Sequence, residues 1–163
     1  LGDCTGVYDR AALIALPPLP AHGGTVAIPA QEWAFAPGPR EIKVYVYYPQ
    51  GDIKNIGPQT GLMLCLHNWG GTGAIGAPDP VQVADRYDVV AIGVDYLQSG
   101  KWDANNGIPY DFGYLQALDA LRALTHLRNR RFRRRKRRAD GEQTRTEDFR
   151  VCGWNQWYGK ADR

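Results

Sequence analysis

The 163-residue chain is poor in the residues that define several classes of protein. Its three cysteines are too few and too scattered for a disulfide framework. Cys65 lies inside an apolar run, which predicts a small buried hydrophobic residue. No apolar run approaches the roughly 20 residues that a membrane-spanning helix needs, so we predict no membrane partner. Ser99 is the only serine, which leaves few candidates for a serine nucleophile.

A metal-ligand pattern is also missing. Cys65 and His67 share one side of a predicted strand, but no second pair of ligand residues has suitable spacing. We therefore predict no metal site and no cofactor. The length favours a single domain with its own core, although it is short for a large α/β enzyme.

Charge divides the chain into two unlike parts. Through Leu127 there are seven Lys or Arg against twelve Asp or Glu, whereas the remaining residues have thirteen against five. Nine of the eleven residues 128–138 are basic. We predict an incomplete α/β domain over residues 1–128 and a basic, disordered tail over residues 129–163.

Within the first part, apolar runs alternate with helical patterns. Strands are predicted near residues 25–29, 42–48, 61–66 and 89–94, because these runs are β-branched, aromatic or fully apolar. A short helix is predicted over residues 80–87 and a long one over residues 111–128, with Asp79 and Asp111 as N-caps. Leucines at steps of three in the long helix predict a core-facing stripe. This order predicts a mostly parallel sheet with flanking helices.

The stretch over residues 61–73 reads G-L-M-L-C-L-H-N-W-G-G-T-G. Its apolar half is typical of a strand buried on both faces, and the glycines at its end allow close backbone approach to a ligand. In open α/β sheets ligands bind at the carboxyl ends of strands. The sequence therefore predicts a site at the end of this strand.

These residues resemble the first half of an α/β-hydrolase. The likeness is carried by a buried strand ending in L-H-N-W-G-G-T-G, a short helix, a strand V-V-A-I-G-V-D-Y and a long amphipathic helix. It covers about residues 42–128 and is closest to the esterase, polyester-depolymerase and prolyl-peptidase-like branches. The resemblance implies a fold of partial α/β-hydrolase type and an ester or peptide substrate, either a small molecule or a polymer.

The resemblance also implies roles for five residues. In that family the strand usually ends in His-Gly, and the next residue donates a backbone N–H to the oxyanion hole. Trp69 would then be the donor and its side chain a wall of the acyl pocket, with Asn68 in the position of the usual glycine. Asn tolerates unusual backbone angles better than most residues. His67, Gly70 and Gly71 would support the turn.

The nucleophile that this family requires is absent from its expected place. A strand and a G-x-S-x-G elbow should follow the long helix, but the basic run follows instead. Ser99 lies between Gln98 and Gly100, outside any elbow, and we predict no catalytic role for it. We predict that His67 belongs to the turn and that His126 is an ordinary helix residue. The sequence predicts serine-hydrolase ancestry without activity, because an oxyanion hole without a nucleophile forms no acyl-enzyme.

Two interpretations of the basic run remain open. One is a non-enzymatic module in which residues 128–138 bind nucleic acid or another polyanion. The other is that the chain is truncated or frameshifted near residues 129–131. Read one base later, the codons of residues 131–136 permit G-S-G-G-G-N, an elbow-like string. A glycine-rich coding stretch read out of frame also turns naturally into an arginine run.

The missing nucleophile strand has a physical consequence. Without it and the strands beyond it, the sheet is expected to expose an apolar edge, which favours aggregation.

Overall fold

The computed structural model describes residues 16–101, 113–136 and 149–152, with residues 129–136 and 149–152 described by their backbone alone. The predicted N-cap Asp111 lies outside these ranges. Within these ranges the chain forms an α/β arrangement of five strands and two α-helices. In chain order they are β1 (Gly24–Ala30), β2 (Arg40–Tyr47), β3 (Gly61–Cys65), α1 (Pro80–Tyr87), β4 (Val89–Asp95), α2 (Tyr114–Lys136) and β5 (Phe149–Cys152).

The strands form one mixed sheet in the order β1-β2-β4-β3-β5. β2 runs antiparallel to both β1 and β4, whereas β3 runs parallel to both β4 and β5. The prediction of an α/β fold is confirmed, but the prediction of a mostly parallel sheet is wrong. Strand direction was inferred from the alternation of strands and helices, and β1, β2 and β3 follow one another without an α-helix between them.

The two helices cover opposite faces of the sheet. Alternating residues of β4 separate the two layers: Val90, Ile92 and Val94 belong to the core cluster that contains Ala123 of α2, whereas Ala91 packs with Val83 and Ala84 of α1. This division follows from the two-residue period of a strand. A strand covered on both faces must be apolar throughout, which explains the unbroken V-V-A-I-G-V run.

The bounds of α1 are those predicted. Asp79 accepts a hydrogen bond from the backbone N–H of Val81 at 3.0 Å, and Pro80 occupies the first turn, where a missing N–H is tolerated. The helix ends at Tyr87, and the next residue, Asp88, adopts a left-handed conformation with φ 47°. The sequence signals at Asp79 and Pro80 thus fix the start of the helix.

The helix α2 differs from its prediction in two respects. Its backbone continues past Arg128 to Lys136, into the basic run. Its buried face also includes residues other than the leucine stripe: Leu121 is exposed, whereas Asp119, Ala123 and His126 are buried. Steps of three residues rotate by about 300° on a helix of 3.6 residues per turn, so a stripe of such steps drifts around the helix. The prediction that every leucine faces the core is therefore wrong.

β3 does not lie at an edge of the sheet. β5 pairs with β3 in parallel register, with Leu64 opposite Val151 and Cys65 opposite Cys152. Two backbone segments beyond residue 128 therefore belong to regular secondary structure, one to α2 and one to β5. The prediction of disorder for the rest of the tail falls on residues outside the described ranges. The prediction that Cys65 is a buried hydrophobic residue is confirmed, since its side chain is fully buried.

Candidate functional site

The loop that follows β3, over residues 66–76, forms a tight turn at the carboxyl end of that strand. The N–H of Gly71 donates to the carbonyl of Asn68 at 3.1 Å, and Gly70 has φ 67°. A Cβ atom at Gly71 would lie 3.1 Å from Cβ of His67 and 3.2 Å from the carbonyl oxygen of Asn68. The G-G pair of the sequence is therefore required by the shape of this turn.

The two predicted oxyanion-hole residues have different surroundings in this loop. The backbone N–H of Asn68 donates to the carbonyl of Ile75 at 3.1 Å, so this N–H closes the loop. The side chain of Asn68 lies inside the loop, where it would contact a Cβ atom added at Gly76. The Trp69 side chain is 50% exposed. Its roles as donor and as pocket wall stay predictions.

A second loop, over residues 96–101, follows β4 and lies beside the first. The N–H of Gly100 donates to the carbonyl of Gly71 at 2.8 Å, which joins the two loops. Within the second loop the N–H of Ser99 donates to the carbonyl of Tyr96 at 2.9 Å. Gln98 has φ 71°, a left-handed conformation that costs a non-glycine residue about 1–3 kcal/mol. Ser99 therefore sits in a tight and strained turn.

These loops bring together His67, Tyr96 and Ser99. The Nε2 atom of His67 lies 2.7 Å from Oγ of Ser99, and its Nδ1 atom lies 2.7 Å from the carbonyl oxygen of Asn68. The Tyr96 hydroxyl donates to the carbonyl oxygen of His67 at 2.7 Å and lies 3.1 Å from Nδ1. The two rings stack, with centroids 4.0 Å apart and planes 18° apart. His67 is only 5% exposed, so its ring is held in one orientation.

Asp95, the last residue of β4, holds the loop over residues 66–76 in place. One carboxylate oxygen accepts the backbone N–H of Gly73 at 2.6 Å, and the other accepts the hydroxyl of Tyr45 at 2.9 Å. Burial, followed by the hydrogen bond and charge of Asp95, raises the pKa of Tyr45 to about 12. The same carboxylate therefore holds both the loop and the tyrosine.

The raised pKa of Tyr45 predicts a titration difference. Because the folded state favours the phenol, this stabilisation is complete below the ordinary tyrosine pKa of about 10 and is lost as pH rises through about 12. Phenolate absorbance near 295 nm should therefore be almost the same for the wild type and Tyr45→Phe at pH 10.5, should differ by about half a tyrosine at pH 12, and should approach a full tyrosine only above that pH. A difference of about three-quarters of a tyrosine already at pH 10.5, which an ordinary pKa of about 10 gives, would contradict the shift.

The close approach of the first loop to β4 predicts a second effect. A Cβ atom at Gly93 would lie 2.9 Å from the carbonyl oxygen of Gly73, a backbone atom that cannot turn aside. We expect Gly93→Ala to lower the free energy of unfolding by about 1–3 kcal/mol, measured by urea denaturation. Gly57→Ala is the matched control, because its new Cβ atom would meet only Oγ1 of Thr60 at 3.8 Å. Equal stabilities of the two variants would show that the loop is not held against the strand.

The second loop is anchored to α2 by Asp119, which is fully buried. Its Oδ2 atom accepts the backbone N–H of Leu97 at 3.0 Å and pairs with the guanidinium of Arg40 at 2.5 Å. Burial raises the pKa of Asp119 above the ordinary value, while Arg40 and the Leu97 N–H act in the opposite direction. Through this carboxylate the start of β2, the loop after β4 and α2 are joined at one point.

The pairing of His67 with Ser99 was not predicted from the sequence. Predicting that β3 and β4 are parallel neighbours would have indicated this pairing, because such strands place their carboxyl ends at the same edge of the sheet. Loops leaving those ends then lie side by side. The predictions for His67 and Ser99 depended on their local sequence, and neither residue lies in a G-x-S-x-G nucleophile elbow.

The fold and the site define an α/β protein with a polar histidine–serine–tyrosine cluster at the carboxyl end of its sheet. A scan against protein-family models finds none that matches this chain, and searches of curated proteins and of solved structures find no match. Among the described residues no group of three or more His, Cys, Asp or Glu could hold a metal ion. Neither described helix is long and apolar enough to cross a membrane.

Proposed function

We propose that this chain is an α/β-hydrolase-like protein of serine-hydrolase ancestry that carries the oxyanion side of an acyl-transfer site. The ancestral reaction is hydrolysis of an ester or peptide bond through an acyl-enzyme. As written, the chain does not perform that reaction, because no G-x-S-x-G nucleophile follows α2. The loop over residues 66–76, with Trp69 as donor, is the part of the site that remains.

The observation that carries the proposal is the position of this loop in the sheet. The connection through α1 leads from β3 to β4, and α2, which follows β4, covers the opposite face of the sheet. A right-handed crossover on that face returns the chain past β3. The strand order therefore reverses at β3. In open α/β sheets ligands bind at such a point, outside the carboxyl ends of the strands. The glycine turn after β3 lies there, which is where an oxyanion hole would face a nucleophile carried by the next strand.

The proposal is tested by restoring the reading frame of the gene. We expect the chain as written to give no steady-state turnover of a p-nitrophenyl ester. A gene shifted by one base near codon 131 should encode Ser-Gly-Gly-Gly and give turnover that is lost when that serine becomes alanine. If the other frame across codons 131–162 lacks this string, or if the restored protein is inactive, the proposed ancestry is wrong.

A second candidate function is polyanion binding by the basic run. The observation in its favour is that the backbone of α2 continues to Lys136, which places most of this run on a helix. Nucleic-acid affinity should then fall steeply with salt, by about 10³-fold or more between 50 and 200 mM if six or more phosphates are neutralised. Replacing Arg133, Arg134 and Arg135 with glutamine should weaken both the affinity and its salt dependence. Binding that is unchanged by these substitutions would exclude the basic run.

A further inference from the structure

We propose that Ser99 is itself an activated nucleophile, with His67 as its general base, and that it accepts an acyl group from activated esters or a phosphonyl group from fluorophosphonates. This inference goes beyond the proposed function, which places the ancestral nucleophile after α2. It depends on two loops that the structure brings together, and it does not depend on the ancestry of the fold.

The hydrogen-bond partners of His67 fix its tautomer. Its Nδ1 atom faces the carbonyl oxygen of Asn68 at 2.7 Å and the hydroxyl oxygen of Tyr96 at 3.1 Å. The carbonyl can only accept, and the hydroxyl already donates its hydrogen to the carbonyl of His67. We therefore assign the hydrogen of the neutral ring to Nδ1. The bare Nε2 atom must then accept the Oγ–H of Ser99, which is the arrangement that removes a proton from a serine.

His67 and Ser99 are both held in place by neighbouring groups. A general base must stay within hydrogen-bond reach of the proton that it removes, at about 2.6–3.2 Å. Oγ of Ser99 is 2.7 Å from Nε2. The ring is stacked on Tyr96, and the turn that carries Ser99 is tied to the first loop through Gly100 and Gly71. Neither partner needs to move before reaction. Ser99 is also partly exposed, so an electrophile can reach Oγ.

The proposed step conserves atoms and charge. Oγ of Ser99 attacks the carbonyl carbon of a p-nitrophenyl ester while its proton passes to Nε2 of His67. A new Oγ–acyl bond forms, the bond from the acyl carbon to the phenolic oxygen breaks, and p-nitrophenolate leaves with its electron pair. The proton on Nε2 then passes to solvent. With a fluorophosphonate the new bond is Oγ–P, and fluoride is the leaving group.

The burial of His67 slows the removal of the acyl group from Ser99. Release of that group requires a water molecule activated at the same Nε2 atom, and His67 is only 5% exposed. We therefore expect one equivalent of p-nitrophenol per chain and then little turnover. A single burst is compatible with the absence of steady-state hydrolysis that the proposed function predicts. Absence of the burst would contradict the role of Ser99 alone, whereas an inactive frame-restored protein would contradict the proposed ancestry alone.

The experiment is covalent labelling of the full chain with a fluorophosphonate, located by mass spectrometry of its peptides. Ser99 is the only serine, so a serine-directed probe has one serine target. We expect one phosphonyl group on Ser99 and none on the Ser99→Ala variant. The His67→Gln variant keeps Ser99 but lacks a base, and it should label more slowly by about 10²–10⁴-fold. Near-UV circular dichroism establishes that each variant is folded.

A matched control places a serine elsewhere in the same fold. The double variant Ser99→Ala/Thr125→Ser carries its single serine on α2, where the Thr125 hydroxyl donates to the carbonyl of Leu121. We expect no label on this serine. The proposal is overturned if folded wild type remains unlabelled, if His67→Gln labels at the wild-type rate, or if the serine at position 125 labels as fast as Ser99.

Discussion

Replacing Asp119 with alanine is expected to lower the free energy of unfolding by about 3–5 kcal/mol, the range for breaking a buried ion pair by removing one partner. The side chain of Asp119 is fully buried, and that of its partner Arg40 is only 15% exposed. Without the carboxylate, the guanidinium and the N–H of Leu97 both lose their acceptor in a region of low dielectric. Urea denaturation of the wild type and the variant measures the loss.

Two further variants distinguish the loss of the ion pair from the loss of the hydrogen bond to Leu97. Asp119→Asn keeps an acceptor for Leu97 and should cost less than Asp119→Ala. The double variant Arg40→Met/Asp119→Leu removes both charges and should recover much of the stability, because apolar replacement of a buried pair is often neutral. A cost below about 1 kcal/mol for Asp119→Ala would show that the pair is effectively solvated. The loop that carries Ser99 would then need another anchor.

The second large effect is expected for Ile92→Ala, at about 2–5 kcal/mol. Ile92 is fully buried in the middle of β4, opposite Val46 of β2 and Leu64 of β3. It belongs to the cluster that joins the sheet to α2. Removing its outer carbons leaves a cavity that is bounded by β2, β3 and α2. Because these elements are packed against one another, they can move little to fill the cavity.

Ile75→Ala is the matched control for this substitution. Ile75 is 59% exposed, so the same change removes little buried surface there and should alter stability by less than about 0.5 kcal/mol. Both variants can be compared by urea denaturation at constant pH. If both substitutions lowered the free energy of unfolding equally, the packing of Ile92 in the core between β4 and α2 would be contradicted.

The local elements were the most predictable part of this protein. Asp79 and Pro80 specify the start of α1, and the unbroken apolar runs specify β3 and β4, because capping and full burial leave signals in adjacent residues. The glycine pair likewise indicates a turn after β3. Each of these signals depends on neighbours in sequence.

The direction of the strands and the contents of the site were not predictable in this way. Whether β2 runs against β4 depends on how segments about 50 residues apart meet, and no local pattern encodes that choice. The same is true of His67 and Ser99, which are 32 residues apart and meet only because β3 and β4 end at the same edge of the sheet. The buried face of α2 was also decided by its packing, since helical rotation carries Leu121 to the solvent and brings Asp119 into the core.

The sequence by itself thus determined where strands, α1 and the glycine turn lie, because backbone propensity and burial act within a few residues. Only the tertiary structure decided that a histidine from one loop fixes the proton of a serine from another. That assignment rests on two acceptors at Nδ1, one from Asn68 and one from Tyr96. Hydrogen-bond geometry of this kind exists only after the chain has folded, because its partners come from the ends of two different strands.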